Sequence, residues 1–70
     1  MKLEAYQQRV VKEESELDTK IEKLKTFILN SPIYEKLPEE EKIDLYDQLR
    51  AMTKYAKILI RRTNRFKTNS

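Results

Sequence analysis

The stretch LPEEEKIDLYDQLRAMTKYAKILIRRTNRF, residues 37 to 66, decides the fold. Its proline suits a first helical turn, where a missing amide costs nothing, and the three glutamates that follow favour the positive end of a helix dipole. Behind this start, Leu45, Leu49, Met52, Ala56, Leu59, Thr63 and Phe66 recur at steps of four and three without a miss. Such spacing makes one heptad seam along a helix running from about residue 38 to 66.

Working outward, residues 3 to 29 place Leu3, Tyr6, Val10, Leu17, Ile21, Leu24 and Ile28 on steps of three, four or seven, the stripe of a second long helix. One turn interrupts it: Glu13 and Glu14 stand where apolar residues would continue, so this turn is expected to face water or meet cations. Asn30, Ser31 and Pro32 stop the helix, because proline lacks an amide donor and turns its predecessor away from helical geometry. Ser31 and Pro32 also read as the cap and first position of a short turn over IYEK. Helix 1 at about 3–29, a connection at 30–37, helix 2 at about 38–66 and a short basic tail at 67–70 make one domain over residues 1–70. Matched helix lengths and a short connection predict an all-α, antiparallel two-helix hairpin.

Seventy residues with no glycine, no cysteine and no histidine restrict the chemistry as much as the shape. A core this small barely offsets chain entropy, and neither disulfides nor the usual zinc ligands are there to help. Self-association into a homo-oligomeric helix bundle is therefore expected, with Leu17, Ile21, Leu24, Ile28, Leu45, Leu49, Met52, Ala56, Leu59 and Phe66 as the core and oligomer seam. No apolar run is long enough for a membrane span or a signal-peptide core, which leaves the cytoplasm as the expected location. With no glycine there is no phosphate-cradling glycine loop, and no nucleophile with a base beside it stands out, so the expectation is a protein that is not an enzyme and uses neither cofactor nor metal.

Charge is divided along the chain. Residues 1 to 47 hold twelve acids and eight bases, while residues 48 to 70 hold seven bases and no acid. A hairpin brings the basic end beside the start of helix 1, so Lys57 and Arg61 are expected mainly to face Glu13, Glu14 and Glu16. A second stripe remains beside the seam, with Tyr55, Ile58, Arg62 and Arg65 sharing one side of the helix. Either a second subunit covers it, or it binds a ligand or partner, since a ring next to guanidinium groups suits a planar anion or an acidic protein patch. A further arrangement, Arg50, Lys54, Lys57, Arg61 and Arg65, would make a phosphate track for nucleic acid.

Three segments together carry a resemblance: YQQRVVKEESELDTKIEKLKTFI, the LPEEEKIDLYDQL connection and MTKYAKILIRRTNRF. They resemble a family of short, uncharacterised helical-hairpin proteins of tailed phages and prophages, over roughly residues 5 to 66. That resemblance implies a phage accessory protein and assigns no site residues. Three roles follow as expectations. One is a counter-defence binder that sequesters a cyclic nucleotide signal or blocks a host defence protein, in the cytoplasm of the host cell. The second is a Rop-like nucleic-acid-binding hairpin dimer, and the third a purely structural assembly component.

Overall fold

A computed structural model of the chain describes residues 3–68. It contains α1, Ala5–Asn30, then α2, Pro32–Glu35, then α3, Glu39–Thr68. The long helices lie against each other in a slender body measuring 49 × 16 × 15 Å. Their direction follows from which ends meet. Tyr6 near the start of α1 packs edge-on against Phe66 near the end of α3, with ring centroids 5.9 Å apart, so the pair is antiparallel.

The boundaries differ a little from expectation. The second long helix continues through Thr68, which places Lys67 and Thr68 in α3 rather than in a tail; Asn69 and Ser70 lie outside the described residues. Lys67 and Arg65 in the last turn and Glu39, Glu40 and Glu41 in the first complement the helix dipole at both ends. At the start of α1, the Gln7 side chain accepts the Glu4 amide at 2.9 Å, one half of a capping box.

Between the long helices the chain turns without glycine. Ser31 is extended, as a residue preceding proline prefers, and its amide still donates to the Phe27 carbonyl at 3.1 Å. Its hydroxyl then accepts the Ile33 amide at 3.1 Å and so caps α2. Pro38 next offers its carbonyl to the amides of Glu41 and Lys42, at 3.0 and 3.1 Å. Tyr34 braces this elbow: its ring meets Phe27 edge-on at 6.0 Å and lies 5.8 Å from the Lys42 ammonium.

One layer of side chains forms the core. Val10 and Leu17 from α1 and Ala56 and Leu59 from α3 are buried, and Ile21, Met52 and Phe66 pack against them half-covered. Leu59 is fully enclosed at 0% exposure, and burying such a side chain stabilises by about 1.5–3 kcal/mol. Leu24, Ile28, Leu45 and Leu49 are half-buried. Six of the ten seam positions, Leu17, Ile21, Met52, Ala56, Leu59 and Phe66, thus form or adjoin the core cluster.

Candidate ligand-binding site

Two flanks of α3 border the seam, and helical geometry assigns each its residues. One residue before the seam positions come Tyr55, Ile58, Arg62 and Arg65; one residue after come Thr53, Lys57 and Ile60. At about 100° per residue these two sets diverge to opposite sides of the core.

On the first flank, the Tyr55 hydroxyl donates to the Glu13 carboxylate of α1. This bond raises the phenol pKa above its ordinary value; desolvation and the Glu13 charge add to the shift, and the Arg62 guanidinium opposes it. Tyr55, Ile58 and Arg65 are exposed and Arg62 is half-buried. The four side chains therefore share a flank as their spacing implies, but a carboxylate stands in their midst. For an anionic ligand Glu13 is a repulsive neighbour.

Beside this pair, the Thr63 hydroxyl donates to Glu14 Oε2 at 3.0 Å, with Thr63 only 5% exposed. Glu13 and Glu14 thus meet hydroxyls of α3, where the charge pattern led us to expect Lys57 and Arg61. Lys57 is carried to the other flank because it follows Ala56 by one residue.

On that other flank lies a groove of about 330 Å³, lined by Tyr46, Leu49, Arg50, Thr53, Lys54 and Lys57. Steps of three and four along α3 align these side chains. Tyr46 is exposed, Leu49 is half-buried, and the outer edge of Leu49 makes an apolar floor. The Thr53 hydroxyl donates back to the Leu49 carbonyl at 2.9 Å. Three cations line this space and no acid does. A shallower groove of about 240 Å³, between Tyr34, Glu39, Lys42, Ile43 and Tyr46, adjoins it through Tyr46.

A family model described as Sequestin matches residues 4–65. The chain belongs to the Sequestin family. The Sequestin match runs from the cap of α1 to Arg65 in the last turn of α3, so it includes both flanks, the groove and the elbow. No curated protein and no solved structure matches the chain.

Within the Sequestin span, sequence reasoning selected Tyr55, Ile58, Arg62 and Arg65 as the binding stripe and treated Arg50, Lys54 and Lys57 only as part of a phosphate track. The structure brings the latter three together with Tyr46 and Leu49. A signal for this was present: Tyr46, Arg50, Thr53, Lys57 and Ile60 recur at steps of three and four immediately beside the seam. Among the described residues no group of three or more His, Cys, Asp or Glu could hold a metal ion. Nor is any described helix long and apolar enough to cross a membrane.

Proposed function

We propose that this chain is a non-enzymatic binding protein that sequesters a small anionic ligand of the nucleotide class in the groove beside Tyr46. The observation that carries this reading is the lining itself, three cations and a phenol ring around an apolar floor with no carboxylate among them. Guanidinium and ammonium groups attract phosphate oxygens, while the ring and the Leu49 edge offer surface to a planar base. A volume of about 330 Å³ is at the lower end of small-molecule sites, which hold roughly 300–1,000 Å³. The family name speaks of sequestration, which fits binding without turnover.

The resemblance to hairpins of tailed phages extends the proposal to a counter-defence role, in which the ligand is a cyclic nucleotide alarm signal withdrawn from a host defence protein. The protein would then work in the host cytoplasm. Assembly into a homo-oligomeric bundle belongs to the same proposal, because the exposed Tyr46, Ile43 and Ile60 leave apolar surface outside the two-helix contact. The row of Arg50, Lys54, Lys57 and Arg61 supports one second reading, a phosphate track for nucleic acid.

Isothermal titration with a cyclic dinucleotide separates them. Saturable binding with a gentle salt dependence, lost when Arg50 and Lys54 become Gln, supports sequestration. Binding to a DNA or RNA duplex whose log affinity falls by about 0.9 per phosphate contacted for each tenfold rise in salt, with no uptake of the dinucleotide, would replace it by the nucleic-acid reading.

A further inference from the structure

The elbow end of the rod is both apolar and acidic. Leu29, Ile33, Ile43 and Tyr46 are each more than half exposed there, and exposed apolar groups gathered in one region mark interaction surfaces. The region is acidic although the chain as a whole is basic: residues 35 to 47 hold six acids and two bases.

The shallower groove takes in two of these four hydrophobics, Ile43 and Tyr46, together with Tyr34, Glu39 and Lys42. Its Tyr34 wall is fixed before anything binds, since the ring is held edge-on by Phe27 and the hydroxyl donates to the Lys42 carbonyl at 3.4 Å. At about 100° per residue, Glu39, Glu40, Ile43, Tyr46 and Asp47 share an arc of about 120° on α3, so the three acids flank the apolar pair on its own face. Lys42 lies on the seam side of that arc, with its ammonium over the Tyr34 ring. Arg50, one turn past Tyr46, marks where this surface ends and the basic groove begins.

We infer that the elbow groove is a second docking surface, and that its occupant is a basic amphipathic helix of another protein. An aliphatic or aromatic side chain of that helix sits between Tyr34, Ile43 and Tyr46, and its Lys or Arg residues meet Glu39, Glu40 and Asp47. An apolar anchor in a pocket, with charge at the rim, is how such contacts divide affinity and selectivity. The helical spacing of the acids and the apolar pair along α3 suits a helix packed alongside, and charge complementarity sets that helix's sign. The same charges disfavour a second copy of this chain. Elbow laid on elbow sets acids against acids, and elbow laid on a neighbour's basic end makes a heterologous contact that leaves a further elbow and a further basic end to recruit more copies. The surface is separate from the anion groove: it has the opposite charge and shares only Tyr46 with it.

The test uses the full chain and a synthetic helical peptide with leucines at i, i+3, i+4 and i+7 and lysines elsewhere, followed by fluorescence anisotropy and backbone amide NMR. The expected result is saturable one-to-one binding, amide shifts centred on residues 34–47, and no binding of the counterpart peptide with glutamates in place of the lysines. Ile43→Gln, at an exposed helical position, weakens binding about tenfold by removing the apolar contact. Glu39→Gln with Asp47→Gln weakens it by a similar factor at low salt, whereas Glu16→Gln with Glu22→Gln on α1 leaves it within about twofold. Circular dichroism confirms that each variant keeps its helices.

Failure to bind the lysine peptide overturns the inference. So does binding that Ile43→Gln leaves unchanged, or that the two α1 substitutions weaken as much as the two elbow substitutions, since that is attraction to negative charge anywhere on the chain. Association of the peptide-free chain in light scattering, abolished by Ile43→Gln, gives the groove to a second copy and overturns the partner named here. Arg50→Gln with Lys54→Gln leaves peptide binding within about threefold, so loss of nucleotide uptake and loss of peptide binding are read independently.

Discussion

Tyr55 and Glu13, 42 positions apart in the chain, are joined across the helix pair by a hydroxyl-to-carboxylate hydrogen bond. The bond lies on the solvent-facing edge of the seam and holds the phenol in its protonated form. Since the folded-state pKa is raised above the ordinary 10.0, the contribution is complete below that pH and is lost as pH rises through the raised value. Tyr55→Phe should lower the melting temperature slightly near neutral pH. Thermal melts of the two proteins across an alkaline series should converge only above the ordinary phenol pKa. A gap that persists unchanged into strong alkali would show that the hydroxyl contributes nothing to the difference.

The inner polar pair has larger consequences because it is better covered. Thr63→Val keeps the volume but removes the donor from Glu14 Oε2, and leaving a partly buried carboxylate without it should cost about 1–3 kcal/mol. Replacing Glu14 by Leu in the same chain should recover most of that loss, since removing both partners of such a pair is often near neutral. Urea melts of the two single variants and the double variant provide the cycle. Additive losses would mean that the two side chains are not coupled.

Leu59 and Leu49 both belong to the seam but differ in cover. Leu59→Ala should cost about 2–5 kcal/mol, as expected of a fully enclosed leucine. Leu49→Ala, half-buried in the groove lining, should cost about 0.8–1.5 kcal/mol, roughly half of the burial of such a side chain. Denaturant unfolding measures both, and equal losses would place Leu49 deeper than the structure does.

The two flanks can be separated by charge removal. Arg50→Gln with Lys54→Gln should abolish measurable uptake of a cyclic dinucleotide, while Arg62→Gln with Arg65→Gln should leave the affinity within about threefold, since rim charges mainly affect association rates. Calorimetry on all four-site combinations, with melting as a control for folding, decides the matter. Loss of uptake on the Arg62 and Arg65 side would return the site to the Tyr55 flank.

Much of the architecture was legible because it depends on period and punctuation. The seam from Leu45 to Phe66 and the Ser31-Pro32 signal both follow from local rules, and the structure has the long helix and the short α2 where those rules put them. What lay across the interface was harder to read. Glu14 looked like a break in one stripe and Thr63 like a weak member of another, and only the antiparallel pairing shows that they stand opposite each other. Likewise Lys57 could have turned towards Glu13 or away from it. Its position one residue past Ala56 settled the direction, a distinction of side that a charge tally does not contain.

The Glu14 and Thr63 pair also has a bearing on alignment. Two heptad stripes can slide past each other by seven residues and still bury leucine against alanine, so the apolar seam alone tolerates more than one register. A slip of one heptad would bring Glu14 beside Ala56, where no hydroxyl waits for the carboxylate and burial of its charge becomes expensive. The interruption in the apolar stripe thus serves as an alignment key: it penalises the neighbouring pairings that the leucines and isoleucines would otherwise accept.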